Sequence, residues 1–288
     1  MSIESSDKIE HVLVTGAGGT VGGLVVPGLL ERGLRVRALT RDPARRTFPA
    51  GVETAAGDLA DPATLDGVFD GVDAVFLFAV AETAAEVVDR MRRAGVRRVV
   101  VLSSTSVTDG DDTDFGYRHH RPVEEAVERS GLEWTHLRAG EFMANDLDSY
   151  SESVRAEGVV RAPHGDRPWA PVHEADIADA AVAALTGPGH HGRVYTLTGP
   201  ELVTAAERAA AIGAALGREV RFVHLGNAEA RELWISQGIP PEICDWMLWE
   251  APDDWDPAGL ISTHYEEITG RRGRTYARWA ADHRADFA

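Results

Sequence analysis

The stretch Thr15-Gly16-Ala17-Gly18-Gly19-Thr20-Val21-Gly22 constrains this chain more than any other. It follows a short apolar run, Val12-Leu13-Val14, and precedes residues 21–31, which read as a helix although Pro27 and Gly28 are poor formers inside one. Glycines at 16, 19 and 22 give a G-x-x-G-x-x-G pattern. Gly16 can turn the chain sharply after a strand. At Gly19 the backbone can approach a pyrophosphate where a side chain would collide, and Gly22 allows the helix to pack close to the sheet. The helix N-terminus then offers N–H groups and a partial positive charge to phosphates. Alone, such a triplet is a weak signal. Set between a strand and a helix, with a second strand at the right distance, it reads as a dinucleotide-binding turn rather than a ligand-free glycine loop.

The pattern that follows supports this. Residues 35–40, 52–56, 74–78, 98–102 and 134–137 read as further strands. A short helix opens at Asp61-Pro62, and others cover residues 82–94, closed by Gly95, and 122–130, stopped before Gly131. Strands alternating with helices imply right-handed βαβ units, a parallel sheet and helices on both faces. The expected order is 3-2-1-4-5-6, with the ligand crevice at the carboxyl ends of strands one and four. Residues 161–169 read as a loop, 174–185 as an alanine-rich helix, 194–197 as a strand, 204–216 as a helix and 220–223 as a strand. From Asn227 the pattern loosens. Trp234, Trp246, Trp249 and Trp255 fall there; such residues pack cores more often than they line pockets, although a pocket for a flat ring can be built from them.

The end of the second strand selects the cofactor. NAD sites place an acidic residue there to accept from the ribose 2′-hydroxyl. This chain has Leu39-Thr40-Arg41-Asp42. An arginine fork suits a phosphate, so NADP(H) is the expected cofactor, with Arg41 on its 2′-phosphate. The alternative is that Arg41 sits on the surface with Arg45 and Arg46.

Charge narrows the partners. Lys+Arg 29 against Asp+Glu 46 gives a net of −17, which repels phosphate backbones and anionic lipid, so neither nucleic acid nor membrane is expected. No run approaches the ~20 apolar residues of a membrane helix, and the first residues lack the apolar segment of a secretory signal. The single cysteine, Cys244, reads as packing, which suits a reducing, cytoplasmic setting. A small-molecule substrate and a monomer or homodimer are expected. Neither His119-His120 nor His190-His191 comes with a metal-ligand frame, so no metal is expected. Ser103-Ser104 lacks the context of a hydrolase nucleophile.

With TGAGGTVGG, LTRDP, GDLADPATL, GVDAVF, AGVRRVVVLSS and SGLEWTHLRAGEFMAN in order, the chain resembles NmrA-like proteins, a branch of the atypical short-chain dehydrogenase/reductases. The resemblance runs from about residue 10 to 225, and the tail ITGRRGRTYARWAADH is also similar. It implies an α/β fold: a doubly wound parallel Rossmann sheet with a smaller C-terminal α/β substrate lobe, and substrate in the cleft between them. The boundaries expected are 1–138 with 170–198 for the Rossmann domain, and 139–169 with 199–288 for the lobe. Carried over, Gly16, Gly19, Thr20, Val21 and Gly22 hold the pyrophosphate, and Arg41 takes the 2′-phosphate. Asp58 and Leu59 flank the adenine, Phe78 and Ala79 line the ribose and nicotinamide side, and Ser103 and Ser104 end strand five beside the nicotinamide. Glu141, Phe142 and Asn145 reach the substrate.

Short-chain dehydrogenases commonly pair Tyr-x-x-x-Lys with a serine after strand five. The cation favours the tyrosine phenolate and the serine polarises the carbonyl being reduced. Here Tyr117-Arg118-His119-His120-Arg121 keeps the tyrosine and puts Arg121 in place of the lysine, which is not a conservative exchange. His120 is an alternative acid–base group, and a third reading leaves all of these on an exposed loop. The implied activity is an NADPH-dependent reductase of a small aromatic, quinone-like, enone or carbonyl acceptor. The broken dyad leaves a cofactor-sensing protein without turnover as the alternative.

Overall fold

The computed structural model describes residues 8–78, 80–248 and 256–288. They form two compact units: Met1–Ala139, Glu174–Thr196 and Glu267–Gly270 make the first, and Gly140–His173, Leu197–Glu266 and Arg271–Ala288 the second.

The first unit is built on strands β1 (His11–Val14), β2 (Arg35–Thr40), β3 (Glu53–Ala56), β4 (Ala74–Phe78), β5 (Arg98–Ser104), β6 (Glu133–Ala139) and β8 (Arg193–Leu197). The sheet order is β3-β2-β1-β4-β5-β6-β8, which is the expected order extended by one strand beyond β6. The pairs from β3 to β6 are all parallel, with Val12 opposite Val36 on one side and Ala74 on the other. The central strands are buried on both faces, so they are continuous apolar runs rather than alternating ones. Helix α1 (Gly22–Glu31) buries Val25, Val26 and Leu29 and continues through Pro27. Burial of that face outweighs the one ladder hydrogen bond that the proline removes. Helix α1 packs on α6 (Glu174–Thr186), and Gly28 stands against it: a Cβ there would lie 3.1 Å from the Val182 side chain. Helix α2 (Ala84–Arg93) lays Val87, Val88 and Met91 on the other face of the sheet.

The start of one helix differs most from expectation. Beyond the short α3 (Ser106–Asp109), helix α4 runs over Phe115–Glu128, not 122–130. Asp114 starts it, its carboxylate accepting from the Tyr117 N–H at 2.7 Å. That cap is a stronger start signal than Pro122, which lies inside the helix. Tyr117, His119 and His120 therefore stand on a helix, not on a loop.

The second unit holds α5 (Asn145–Glu157), β7 (Val159–Ala162), α7 (Ala205–Leu216), β9 (Arg221–His224), α8 (Asn227–Ser236), α9 (Pro241–Met247), α11 (Tyr276–Asp282) and α12 (Arg284–Phe287); α10 (His264–Thr269) straddles the division. Strand β7 pairs parallel with β9, so Arg161 and Ala162 are strand rather than loop. Its core gathers Met143, Tyr150, Val154, Ile212, Tyr276, Trp279 and Phe287. Thr204 caps α7 in a capping box with Glu207. Neither Trp234 nor Trp246 belongs to this core. Trp246 is 44% exposed and Trp234 half-buried, while Trp249 and Trp255 lie outside the described residues. Cys244 is buried, as its packing role requires. Among the described residues, no helix is long and apolar enough to cross a membrane.

Candidate dinucleotide site and the flanking charge networks

The chain leaves β1 toward β2 and β3, and reaches β4 on the opposite side, so a crevice opens at the carboxyl ends of β1 and β4. The glycine turn stands there. Gly16 has φ +58°, a left-handed conformation that side chains disfavour. The Gly19 N–H donates to the Gly16 carbonyl at 2.9 Å and closes the turn. A Cβ on Gly22 would lie 2.3 Å from the Gly16 oxygen and 2.7 Å from its carbonyl carbon. Gly22 thus seats the helix against the turn itself. Thr20 and Val21 carry the chain into the first helical turn, where the Gly23 N–H donates to the Gly19 carbonyl and the Leu24 N–H to the Val21 carbonyl, both at 2.9 Å; the positive end of the helix dipole lies there and suits a phosphate.

Thr15 fastens the two sides of the crevice. Its buried hydroxyl donates to the Phe76 carbonyl at 2.9 Å and accepts from the Phe78 N–H at 2.7 Å. The Phe78 ring is left 51% exposed beside Gly16. Thr15 carries no familiar spacing beyond preceding the first glycine, and this role was not visible before the fold. Arg41 is exposed at the end of β2. Asp58 accepts from the Ala60 N–H at 3.0 Å, while Leu59 is buried in the sheet core and Thr83 donates to its carbonyl at 2.6 Å. Ala79 lies outside the described residues.

At the ends of β5 and β6, strand register sets Ser103 beside Arg138, and α4 lays Glu124 across both. The Ser103 hydroxyl donates to Glu124 at 2.7 Å, and Arg138 donates to the same carboxylate at 2.7 and 3.0 Å. Burial alone would raise the Glu124 carboxyl; the hydrogen bonds from Arg138 and Ser103 prevail and hold it below the usual range. Arg121 spreads its donors over Glu124, Glu125 and Glu128 at 3.0–3.2 Å, so its charge is fully engaged. Ser104 differs from Ser103. It accepts from the Ser106 N–H and hydroxyl at 3.2 and 2.8 Å, which leaves its own proton available. His120 bonds the Gly116 carbonyl through Nδ1 at 2.8 Å. A carbonyl only accepts, so Nδ1 carries the proton and Nε2 a lone pair. Burial lowers the pKa of His120, which favours the neutral ring. Tyr117 is half-buried one turn before Arg121. Glu124, Glu128 and His136 place potential ligand atoms within 4.8 Å of one another, but Arg121 and Arg138 already neutralise both carboxylates.

In the second unit, Glu141 and Phe142 are half-buried and Asn145 is exposed at the start of α5. Arg208 grips Glu141 with both forks at 2.7 and 2.8 Å, and Asp146 at 3.2 Å. Tyr276 donates its hydroxyl to Asp146 at 2.5 Å. Arg208 went unnoticed in the sequence because nothing in a helical pattern distinguishes a buried arginine from a surface one. Burial drives the Asp146 carboxyl up to about 6, against the pull of Arg208. The folded chain therefore keeps a proton that the unfolded chain releases near pH ~4. This contribution to stability is present below the unfolded value and lost as pH rises through about 6. The melting temperature of the parent chain minus that of Asp146→Asn is expected to be larger at pH 4 than at pH 7. A difference that grows with pH would overturn the assignment.

The parallel sheet, its switch point and the glycine turn define a dinucleotide-binding protein of the Rossmann class. The chain belongs to the NAD(P)H-binding family, whose model matches residues 16–188. It is 42% identical over 283 residues to the (4-alkanoyl-5-oxo-2,5-dihydrofuran-3-yl)methyl phosphate reductase of Streptomyces griseus, covering 96% of this chain and 99% of that one. It is 36% identical over 286 residues to the NAD(P)H azoreductase of Xenophilus azovorans, again covering 96% and 99%. The NADPH-dependent quinone oxidoreductase of Escherichia coli, solved with NADPH, is similar at a TM-score of 0.76 and 25% identity, covering 94% of this chain and 99% of that one. NAD(P)H is thus the cofactor of the family, as the glycine turn implied, and its named members include reductases.

Proposed function

We propose that this chain is an NADPH-dependent reductase of small conjugated acceptors. The observation that carries it is the glycine turn seated at the β1–β4 switch point, with Arg41 unpaired among the described residues at the end of β2. The relatives are named for a dihydrofuranone, an azo and a quinone activity. Such compounds share a conjugated electrophilic π system. When bound, reduced nicotinamide supplies hydride; a proton completes the reduction. A conjugated acceptor spreads the negative charge it gains, so the chain needs only modest proton donation.

In this reading the first unit binds the cofactor and the second supplies the substrate side through Glu141, Phe142 and Asn145. Arg41 takes the 2′-phosphate. Tyr117 is the candidate proton donor, with neutral His120 as its neighbour one turn on. Ser103 and Arg121 act as positioning residues, because Ser103 donates its only proton to Glu124 and Arg121 is engaged by three carboxylates. Ser104 keeps a free proton and is the serine we assign to the acceptor or the nicotinamide side. The lone buried cysteine fits a cytoplasmic setting.

The test is NADPH oxidation, followed by nicotinamide absorbance, with a panel of quinones, enones and azo dyes. Acceptor-dependent oxidation is expected. Cofactor binding seen by tryptophan fluorescence with no oxidation by any acceptor would sink the enzyme reading and leave a sensor. Arg41→Ala is expected to weaken NADPH by about 10–100-fold, the size of a lost charged hydrogen bond, and NADH much less. Equal losses would remove Arg41 from the 2′-phosphate.

A further inference from the structure

Gly18 is the glycine of the turn that the G-x-x-G-x-x-G spacing leaves unexplained. Its φ is not in the left-handed region, so the backbone does not require glycine there. A neighbouring side chain fills the space instead. A Cβ on Gly18 would lie 2.9 Å from Arg46 Nε and 3.3 Å from its Cδ and Cζ. The Arg46 guanidinium lies across the turn, in the space that any side chain at position 18 would occupy.

The segment between β2 and Arg46 is folded to bring it there. The Asp42 N–H donates to Thr40 Oγ1 at 3.3 Å. The Asp42 carboxylate caps the short turn Pro43–Arg45 by accepting from the Ala44 N–H at 3.0 Å, and it pairs with Arg45 at 3.2 Å. Arg45 is thereby engaged. Arg41 and Arg46 are not: among the described residues neither has a hydrogen-bond or ion-pair partner, in a chain with 46 acidic residues. Two uncompensated guanidiniums therefore flank the place where a dinucleotide's adenosine ribose passes from the turn to the end of β2. A phosphate monoester carries nearly two negative charges at neutral pH and can accept from both forks at once.

We propose that Arg46 is a second reader of the cofactor 2′-phosphate, the jaw opposite Arg41, and that Gly18 is glycine to let it reach. This rests on the NADPH reading above and deepens it. A guanidinium at this place can also serve the pyrophosphate, which NADH and NADPH share, and the test separates the two.

Dissociation constants for NADPH, NADH, adenosine 2′,5′-bisphosphate and AMP are to be measured by fluorescence or calorimetry on the full chain, for the parent, Arg41→Ala, Arg46→Ala and Arg46→Lys. Arg46 is exposed, so its replacement should leave folding intact. Expected is a loss of about 10-fold or more for NADPH and the bisphosphate in Arg46→Ala, with NADH and AMP within about twofold and a smaller loss in Arg46→Lys. Equal weakening of NADPH and NADH would place Arg46 on the pyrophosphate and overturn the proposal, as would no change in either. If Arg41→Ala alone removes the preference, the NADPH reading stands and this inference fails. If the parent chain shows no preference for NADPH, the reading beneath it fails first.

Discussion

Gly22→Ala is expected to cost this protein its cofactor, and Gly23→Ala is not. The two glycines are adjacent in the same helix, so their intrinsic propensities are equal. Their surroundings are not. A methyl at position 22 would sit 2.3 Å from the Gly16 oxygen, 2.7 Å from the Gly16 carbonyl carbon and 3.1 Å from the Ala17 Cα. All three are backbone atoms, and no rotamer relieves the clash. The turn must open, at a cost on the order of 1–3 kcal/mol, and the seat it offers a pyrophosphate is displaced. A fall in NADPH affinity of about 100-fold is expected, which corresponds to roughly 2.8 kcal/mol. A methyl at position 23 meets only the Ala17 oxygen at 3.7 Å, an ordinary contact. There alanine should leave affinity unchanged and raise stability by about 0.5–1 kcal/mol. Titration of both variants with NADPH, alongside thermal melts, checks this. Comparable affinities in the two would show that the turn is not the phosphate seat.

Arg208→Leu should be the most damaging single change in the second unit. Arg208 is 4% exposed, and its guanidinium holds Glu141 and Asp146 together. Removing it leaves a fully buried carboxylate without its cation, a situation that costs about 3–5 kcal/mol. For a chain of this size the melting temperature should fall on the order of 10 °C. Adding Asp146→Asn should return part of the loss, because the uncompensated charge goes with it. A single variant that melts within a few degrees of the parent, or a double variant no better than the single, would show the cluster to be energetically idle. Because Arg208 fastens the segment of Glu141 and Phe142, the surviving Arg208→Leu protein should also show a raised acceptor KM with NADPH affinity intact.

Much of the first unit was legible because a parallel sheet writes itself in apolar runs. Residues 74–78 are a strand with the expected limits, since both faces are covered through Leu77 and the cover ends at Phe78; residues 35–40 also keep the expected limits, with Val36, Ala38 and Leu39 buried. The glycine turn was legible because its spacing answers to a ligand. Helix α4 was not, since Pro122 imitates a helix start and the true cap, Asp114, stands just after the run Asp109-Gly110-Asp111-Asp112, where one more aspartate does not stand out. Strand β7 was missed because four residues beside Pro163 and Gly165 carry too little periodicity to outweigh them. Trp234 and Trp246 misled for a different reason: aromatic content near residue 240 suggested a core, whereas the aromatic side chains of the second unit's core are Tyr150, Tyr276, Trp279 and Phe287 among the described residues. The charged networks around Glu124 and Arg208 were beyond reach, since pairing across strands and helices is a property of the assembled fold.

The hydroxyl bridge of Thr15 has a kinetic meaning. By tying the last turn of β1 to the backbone on both sides of Leu77, it sets the width of the crevice mouth before any dinucleotide arrives. The ordering entropy of the seat is then spent during folding rather than at the encounter. Association should run as a single bimolecular step, linear in NADPH concentration, with discrimination between the two nicotinamide cofactors residing in how long each stays rather than how fast each enters.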